Sequence, residues 1–424
     1  MLRVVTALVA FCVCVGLTGC SDRIGCPEDP DYDAGLEMTQ ADLVRFSNSF
    51  GIRLFKELVS EQPDSNIIVS PLSVALALAM TTNGAAADTH DSMLSVLGFP
   101  DYSLKSANEC FRALQGFLTN LDPKVEFDIA NSVWCRQGFD LSAQFSDRCR
   151  TYFNAEVRNL DFDLPGAGDT INAWVSEKTR GRIETIVPHD IPGYVLMYLL
   201  DAIYFLGQWK DQFDPTYTRD GSFTTQGGTL VPCRLMRRPG PEAEFPQLNV
   251  SDFVYYSDDS LQIVDLPYGD SLFTMTILLP REWNGSIGWL IDRLSPPRWD
   301  QWARGLHTCR GELLLPRFQL RYEASLVQAL SALGMGIAFG GGADLTGISG
   351  GFLPISDVRH KTFIRVNEQG TEAAAVTVVE IPIGNVPDCA QFRMHVRRPF
   401  LFVIRENAAN TIIFIGKVVD PGLL

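Results

Sequence analysis

The sequence predicts one large α+β domain, and three stretches carry that expectation. From Thr39 onward, Leu43, Phe46, Phe50, Leu54, Phe55 and Leu58 recur at spacings of three and four, the period of a helix with one buried face. Asn66 to Ala85, NIIVSPLSVALALAMTTNGA, passes from a short apolar strand through Ser70-Pro71 into a helix that is apolar on every side and must therefore be buried. Val366 to Ile381, VNEQGTEAAAVTVVEI, alternates with period two instead. Thr371, Ala373, Ala375, Thr377, Val379 and Ile381 fall on one face, uncharged and mostly small, while Glu372 and Glu380 lie on the other with Ala374, Val376 and Val378. One face can be buried and the other tolerates solvent, and Gly370 precedes both as a pivot.

Composition narrows the function classes. Fifty acidic against 35 basic residues give a formal net charge of −15, which excludes nucleic-acid binding through a basic face. No run of Lys and Arg offers a heparin or anionic-lipid site. With 46% hydrophobic residues the chain can bury a large core, and no internal repeat points to a solenoid.

The N-terminus reads as a targeting segment. Arg3 supplies a positive start, and Val4 to Leu17 is an apolar run too short to span a bilayer. Leu17-Thr18-Gly19-Cys20 is similar to a bacterial lipobox, which implies cleavage before Cys20 and lipid chains on that cysteine; a plain secretory signal cut elsewhere is the alternative. The expected organisation is a signal peptide over 1–19, a lipidated tether over 20–38 and a folded domain over 39–424, in an exported protein held on the cell envelope. Asp29, Asp31 and Asp33 imitate the start of a calcium loop, but Ala34 and Gln40 stand where Gly and Glu are required. Besides Cys20 the mature chain keeps Cys26, Cys110, Cys135, Cys149, Cys233, Cys309 and Cys389, an odd number with no metal-knuckle spacing, read as mostly buried apolar residues.

Along the rest of the chain, FDIANSVWCRQGFDLSAQF reads as strand, turn and helix from Phe127, and Ile171 to Val187 as a helix ended near Gly181. RRPGPEAEFPQLNVSD, after Val231-Pro232, reads as an exposed insertion. LQIVDLPY and LFTMTILLP are strands, and Leu313 to Phe339 a strand followed by a helix stopping at Gly334.

EQGTEAAAVT, Glu368 to Thr377, resembles the proximal hinge of the reactive loop in the serpin family of protease inhibitors, with Gln369 and Val376 as mild departures. NIIVSPLSVALALAM, FDIANSVW, LLDAIYFLGQW, LLLPRFQLRYEASLVQALSALGMGIAF and FRMHVRRPFLFVIRENAANTIIFIGKVVDP resemble further segments of that family, in the right order from about residue 40 to the end. The resemblance implies a large mixed central sheet, smaller sheets, about eight to nine helices and an exposed reactive loop. It places Ser70, Ser73, Asp201 and His360 together at the sheet centre as a latch, with Asp201 where the family has Asn and Leu206 where it has Lys. A buried, hydrogen-bonded His360 with no switching role is the plainer alternative.

By the same resemblance, Glu368, Gly370, Thr371, Ala373, Ala374 and Ala375 form the hinge, and the bond to be cut joins Gly384 to Asn385, or Ile383 to Gly384 if the count slips by one. Cut there, the loop would enter the main sheet as an added strand and drag an acylated protease about 50 Å. Ile381-Pro382-Ile383-Gly384 is uncharged and suits elastase-like, subtilisin-like or papain-like proteases. The implied protein is a monomeric single-use inhibitor with no cofactor, no metal and no catalytic residues, whose partners are a target protease and a membrane. A serpin-fold surface lipoprotein that binds without inhibiting is the competing reading, disfavoured by the small uncharged face of the hinge.

Enzymatic readings are weaker. Gly347-Ile348-Ser349-Gly350-Gly351 matches the GxSxG spacing of a hydrolase elbow but lacks a strand before and a helix after it. His90, His189, His307, His360 and His395 are scattered at spacings that make no metal site.

Overall fold

Thr39 opens the first helix as predicted: its side chain accepts from the Asp42 amide while the Asp42 carboxylate returns to the Thr39 amide, so α1 (Gln40–Glu61) starts from a capping box. The computed structural model describes residues 35–238, 252–281, 286–350, 353–371 and 391–422. Strand β1 (Ile67–Val69) runs into α2 (Pro71–Thr82), capped by Ser70 with Pro71 in the first turn, and every residue of α2 is buried. Then come α3 (Ala87–Leu97), α4 (Leu104–Thr119), β2 (Val125–Arg136), α5 (Ala143–Phe153), β3 (Glu156–Leu160), α6 (Ala167–Lys178) and β4 (Met197–Gln208). A β-rich stretch follows: β5 (Arg219–Thr224), β6 (Leu230–Arg238), β7 (Asp252–Ser257), β8 (Leu261–Tyr268) and β9 (Phe273–Pro280). Helices α7 (Ile287–Arg293) and α8 (Pro296–Gly305) lead to β10 (His307–Pro316), β11 (Phe318–Ser325) and α9 (Val327–Leu330). The chain closes with β12 (Asp357–Val366), β13 (Gly370–Thr371), β14 (Phe392–His395), β15 (Phe400–Glu406) and β16 (Ile412–Val418).

The strands make two sheets. A six-stranded mixed sheet has the order β11-β12-β13-β4-β2-β3, with β12–β4 and β2–β3 parallel. The other strands join a ten-stranded sheet, because β10 pairs with β7 through His307–Arg310, with β6 through Leu313–Pro316 and with β14 alongside. Gly311 permits that junction: a Cβ there would run into the Phe392 ring, which stacks on Tyr255 at 3.8 Å. Phe205 of β4 ties the sheets together, its ring meeting Tyr268, Phe273 and Phe414.

Both faces of β4 are covered, which explains why Met197 to Leu206 is apolar apart from Asp201. Leu199, Ile203 and Phe205 point into the main core with α2, while Tyr198, Leu200 and Ala202 join Trp134, Ile171 and Val175 under α6. Helix α6 thus lies across the six-stranded sheet and ends at Lys178, just before Gly181 at φ +77°.

One expectation about the elements needs correction. Leu313 to Phe339 holds two strands, since the chain leaves one sheet at Pro316 and enters the other at Phe318; the helix after them breaks at Gly334, φ +116°, as predicted. Among the described cysteines, Cys110, Cys135, Cys149, Cys233 and Cys309 are all buried, as expected for most of them, and Cys309 is in addition disulfide-bonded. Burial pushes the Cys135 thiol up to about 12, as an inert core residue requires.

The segment 345–349 is a turn whose Gly347 amide donates to the Gly84 carbonyl at 3.1 Å, with Ser349 buried, so no elbow geometry presents that serine.

Candidate functional site

The site lies where β12, β13 and β4 meet. Strands β12 and β4 pair in parallel from Asp357–Tyr198 to Lys361–Ala202, and that ladder goes no further. Above it a two-residue strand is wedged between them: Thr371 pairs with Val366 on one side and with Gly207 on the other. The first residues of the predicted hinge therefore already occupy the sheet.

Several contacts fix this wedge. Asn367 makes a turn, its side-chain oxygen accepting from the amides of Gln369 at 2.9 Å and Gly370 at 3.2 Å. Gly370 has φ +153°, and a Cβ there would run into the Gly207 carbonyl, so this position accepts glycine alone. Trp209 donates from its ring to the Asn367 carbonyl at 2.9 Å and from its backbone to Gln369 at 2.8 Å. Its indole stacks on Tyr268 at 4.5 Å, and the Tyr268 hydroxyl meets Thr371 Oγ1 at 2.6 Å. Thr371 is buried. Burial drives the Tyr268 phenol strongly upward, so it remains a neutral hydrogen-bonding group.

Glu368 anchors the same turn. Its carboxylate accepts from Arg317 Nε at 2.8 and 3.0 Å and from Thr218 Oγ1 at 2.5 Å, and its carbonyl accepts from the Phe213 amide at 2.9 Å. Burial pushes this carboxyl up, but the bonds from Arg317 and Thr218 outweigh it and hold the group below its usual 4.5.

Lower in the sheet, one rung below the end of the ladder, His360 and Asp201 are direct cross-strand partners. His360 Nδ1 lies 2.9 Å from Asp201 Oδ2, and the Ser70 amide donates to His360 Nε2 at 3.3 Å. An amide only donates, so Nε2 accepts and Nδ1 carries the proton given to Asp201. Ser73 Oγ donates to the other Asp201 oxygen. Thr362 bonds the Ile68 carbonyl at 2.9 Å, so β12 is fastened to the β1–α2 corner twice. Burial pushes the Asp201 carboxyl up, against the pull of His360.

The structure thus brings Ser70, Ser73, Asp201 and His360 together, and gathers Glu368, Gly370 and Thr371 at the upper end of the sheet. Ala373, Ala374, Ala375, Ile383, Gly384, Asn385 and Cys20 lie outside the described residues, as do 1–34 and residues 239–251 of the expected exposed insertion, whose ends correct that reading: Arg237 and a buried Arg238 finish β6, and Asp252 opens β7. Sequence reasoning missed Arg317, Thr218, Tyr268, Trp209 and Asn367. Arg317 and Thr218 touch Glu368 across 51 and 150 residues, beyond any local pattern. Asn367, a turn former before a glycine, left a legible signal. Asn131, opposite Asp201 on β2, was also missed; its buried amide has no hydrogen-bond partner among the described residues.

Among the described residues no helix is long and apolar enough to cross a membrane, and no group of His, Cys, Asp and Glu is placed to hold a metal.

Thr371 thus stands in a short strand between two parallel neighbours of a mixed sheet. The family described as serpin (serine protease inhibitor) matches residues 45–421. Iripin-2 of Ixodes ricinus is 34% identical over 384 residues, 89% of this chain and 94% of that protein. Human neuroserpin is 32% identical over 376 residues, covering 87% and 90%. The native state of tengpin, a thermophilic serpin, superposes with a TM-score of 0.79 at 30% identity, covering 91% of this chain and 96% of that one. The chain belongs to the serpin family.

Proposed function

We propose that this protein is a single-use inhibitor that traps a serine or papain-like cysteine protease by inserting its cleaved reactive loop between β12 and β4. The observation that carries the reading is the wedge: Thr371 is paired on both sides, and the ladder below it is closed only from Lys361–Ala202 downward. Insertion of the following residues would separate β12 from β4 and part His360 from Asp201, so these two act as a latch that must break. The inserting side chains Thr371, Ala373, Ala375 and Thr377 are small and uncharged, which favours fast insertion over deacylation. The reactive bond is Gly384–Asn385, within one residue, and the uncharged residues before it suit elastase-like, subtilisin-like or papain-like targets. The protein acts from the cell envelope, held through lipid on Cys20.

Incubating the mature protein with a small panel of such proteases and separating the products on a denaturing gel tests the reading. A covalent complex that survives denaturation is expected. Cleavage of the loop with no complex would leave a serpin fold that binds without inhibiting.

A further inference from the structure

Cys309 carries a disulfide, and its surroundings on β10 indicate where the partner comes from. The side chain is fully buried and sits two residues before Gly311 on the same inward face, where a Cβ at Gly311 would run into the Phe392 ring. Gly311 and Phe392 are direct partners in the parallel pairing of β10 with β14. Cys110, Cys135, Cys149 and Cys233 hold no disulfide, so the partner is one of Cys12, Cys14, Cys20, Cys26 and Cys389, all outside the described residues.

Chain length separates these candidates. Cys389 stands three residues before Phe392, which bounds its Cα to within about 11 Å of a residue already paired beside Cys309. Cys26 stands nine residues before Gly35, and the chain there is fastened elsewhere: the Leu36 amide donates to the Asp101 carbonyl at 2.8 Å and the Ser103 amide to the Leu36 carbonyl at 2.9 Å, in a turn whose Tyr102 packs on Phe46 of α1. Cys12 and Cys14 fall in the expected signal peptide, and Cys20 is the expected lipid anchor.

We infer that Cys309 and Cys389 form a disulfide that staples the far leg of the reactive loop to β10, so that the loop enters the six-stranded sheet only after it has been cut. The inference rests on the inhibitor reading above. The small uncharged side chains that suit a cut loop to the sheet suit an uncut one equally, and Thr371 is already seated there. An uncut loop can advance only by drawing chain from its far side. Among the described residues β14 is paired with β10 alone, over Phe392–His395, and peeling it away would release residues 389–395, about 23 Å of extended chain. A bond at Cys389 denies that slack. It lies beyond Asn385, so once the Gly384–Asn385 bond is broken the residues before the cut are free to move. Forming the disulfide removes one proton from each thiol and two electrons in all, which pass by thiol–disulfide exchange to an oxidised dithiol carrier of the compartment that the proposed export reaches.

Digestion of the unreduced mature protein followed by mass spectrometry is expected to find the Cys309 peptide joined to the Cys389 peptide; a link to Cys26, or an unpaired Cys389, overturns the assignment. Wild type, Cys389→Ser and Cys26→Ser are then stored warm without protease, and the moles of protease that each mole of inhibitor traps covalently are titrated at intervals. Fresh samples of all three should trap equally, because the staple lies beyond the cut. On storage Cys389→Ser should lose its titre at least about tenfold faster than wild type, with its chain uncut on a denaturing gel, while Cys26→Ser keeps pace with wild type. Wild type reduced with dithiothreitol and alkylated should decay like Cys389→Ser, which guards against a folding defect peculiar to the variant. The spent protein should unfold at a higher temperature than the fresh, as an added strand requires; a lower one would mean that the bond only stabilises the fold, and overturns the staple. Equal decay of Cys389→Ser and wild type overturns it too. A wild type that traps no protease even when fresh removes the inhibitor reading, and this role with it, while the mass map still decides the bond.

Discussion

Thr371 Oγ1 and the Tyr268 hydroxyl lie 2.6 Å apart in the core, which seats the Thr371 side chain beneath the six-stranded sheet that Gly370 enters just before it. Trp209 stacks on Tyr268 at 4.5 Å and so backs the hydroxyl that Thr371 meets.

Thr371→Arg puts a guanidinium where a buried hydroxyl sits. Each 1.4 kcal/mol or so added to the insertion barrier slows insertion about tenfold, while deacylation by the protease is untouched. The variant is expected to be cut at the wild-type bond and to release active protease. Moles of inhibitor consumed per mole of protease inactivated measure this; a variant that traps as efficiently as wild type would refute loop insertion.

Glu368→Gln weakens the clamp to Arg317 and Thr218, at a cost of about 1–3 kcal/mol. The folded carboxyl is held below its usual 4.5, so its contribution is present above pH 4.5 and is lost as pH falls through the folded value. Thermal unfolding should show the variant destabilised at neutral pH and converging with wild type in acid. A gap independent of pH would show that the charge on Glu368 is irrelevant.

Asp201→Asn works in the opposite direction. The folded carboxyl is raised above 3.8 by burial, so its stabilising contribution is complete below pH 3.8 and disappears as pH rises through the folded value. An amide still accepts from His360 Nδ1 without a buried charge. The variant should gain stability over wild type as pH rises toward neutral, and superimposable pH profiles of unfolding would exclude this role for Asp201.

Gly384→Arg offers a basic side chain at the proposed reactive bond. Inhibition of a trypsin-like protease, absent in wild type, is expected. Mass spectrometry of the released C-terminal peptide locates the cut; cleavage more than two residues from Gly384 would move the reactive bond.

Cys20→Ser removes the proposed acylation site. The variant should leave the membrane fraction on cell fractionation, and a variant that stays there would rule out the lipid anchor.

Local patterns exposed most of the architecture because they depend on neighbours in the chain. The three-and-four spacing from Leu43 to Leu58 made α1 visible, and the Ser70-Pro71 pair marked where α2 begins. Resemblance then named His360 and Asp201 as neighbours across 159 residues. No pattern revealed that the chain turns from one sheet to the other at Arg317, or that this arginine closes on Glu368.

What the sequence alone determined is what period and turn chemistry encode: the elements, the small uncharged face of the loop, and glycine at 370. How far the loop has entered its sheet was decided by tertiary structure. That depends on whether Thr371 meets Tyr268, whether Glu368 meets Arg317, and whether β12 and β4 stay paired below Lys361. Each is a contact between groups far apart in the chain, and its strength comes from burial that exists only once both sheets are packed.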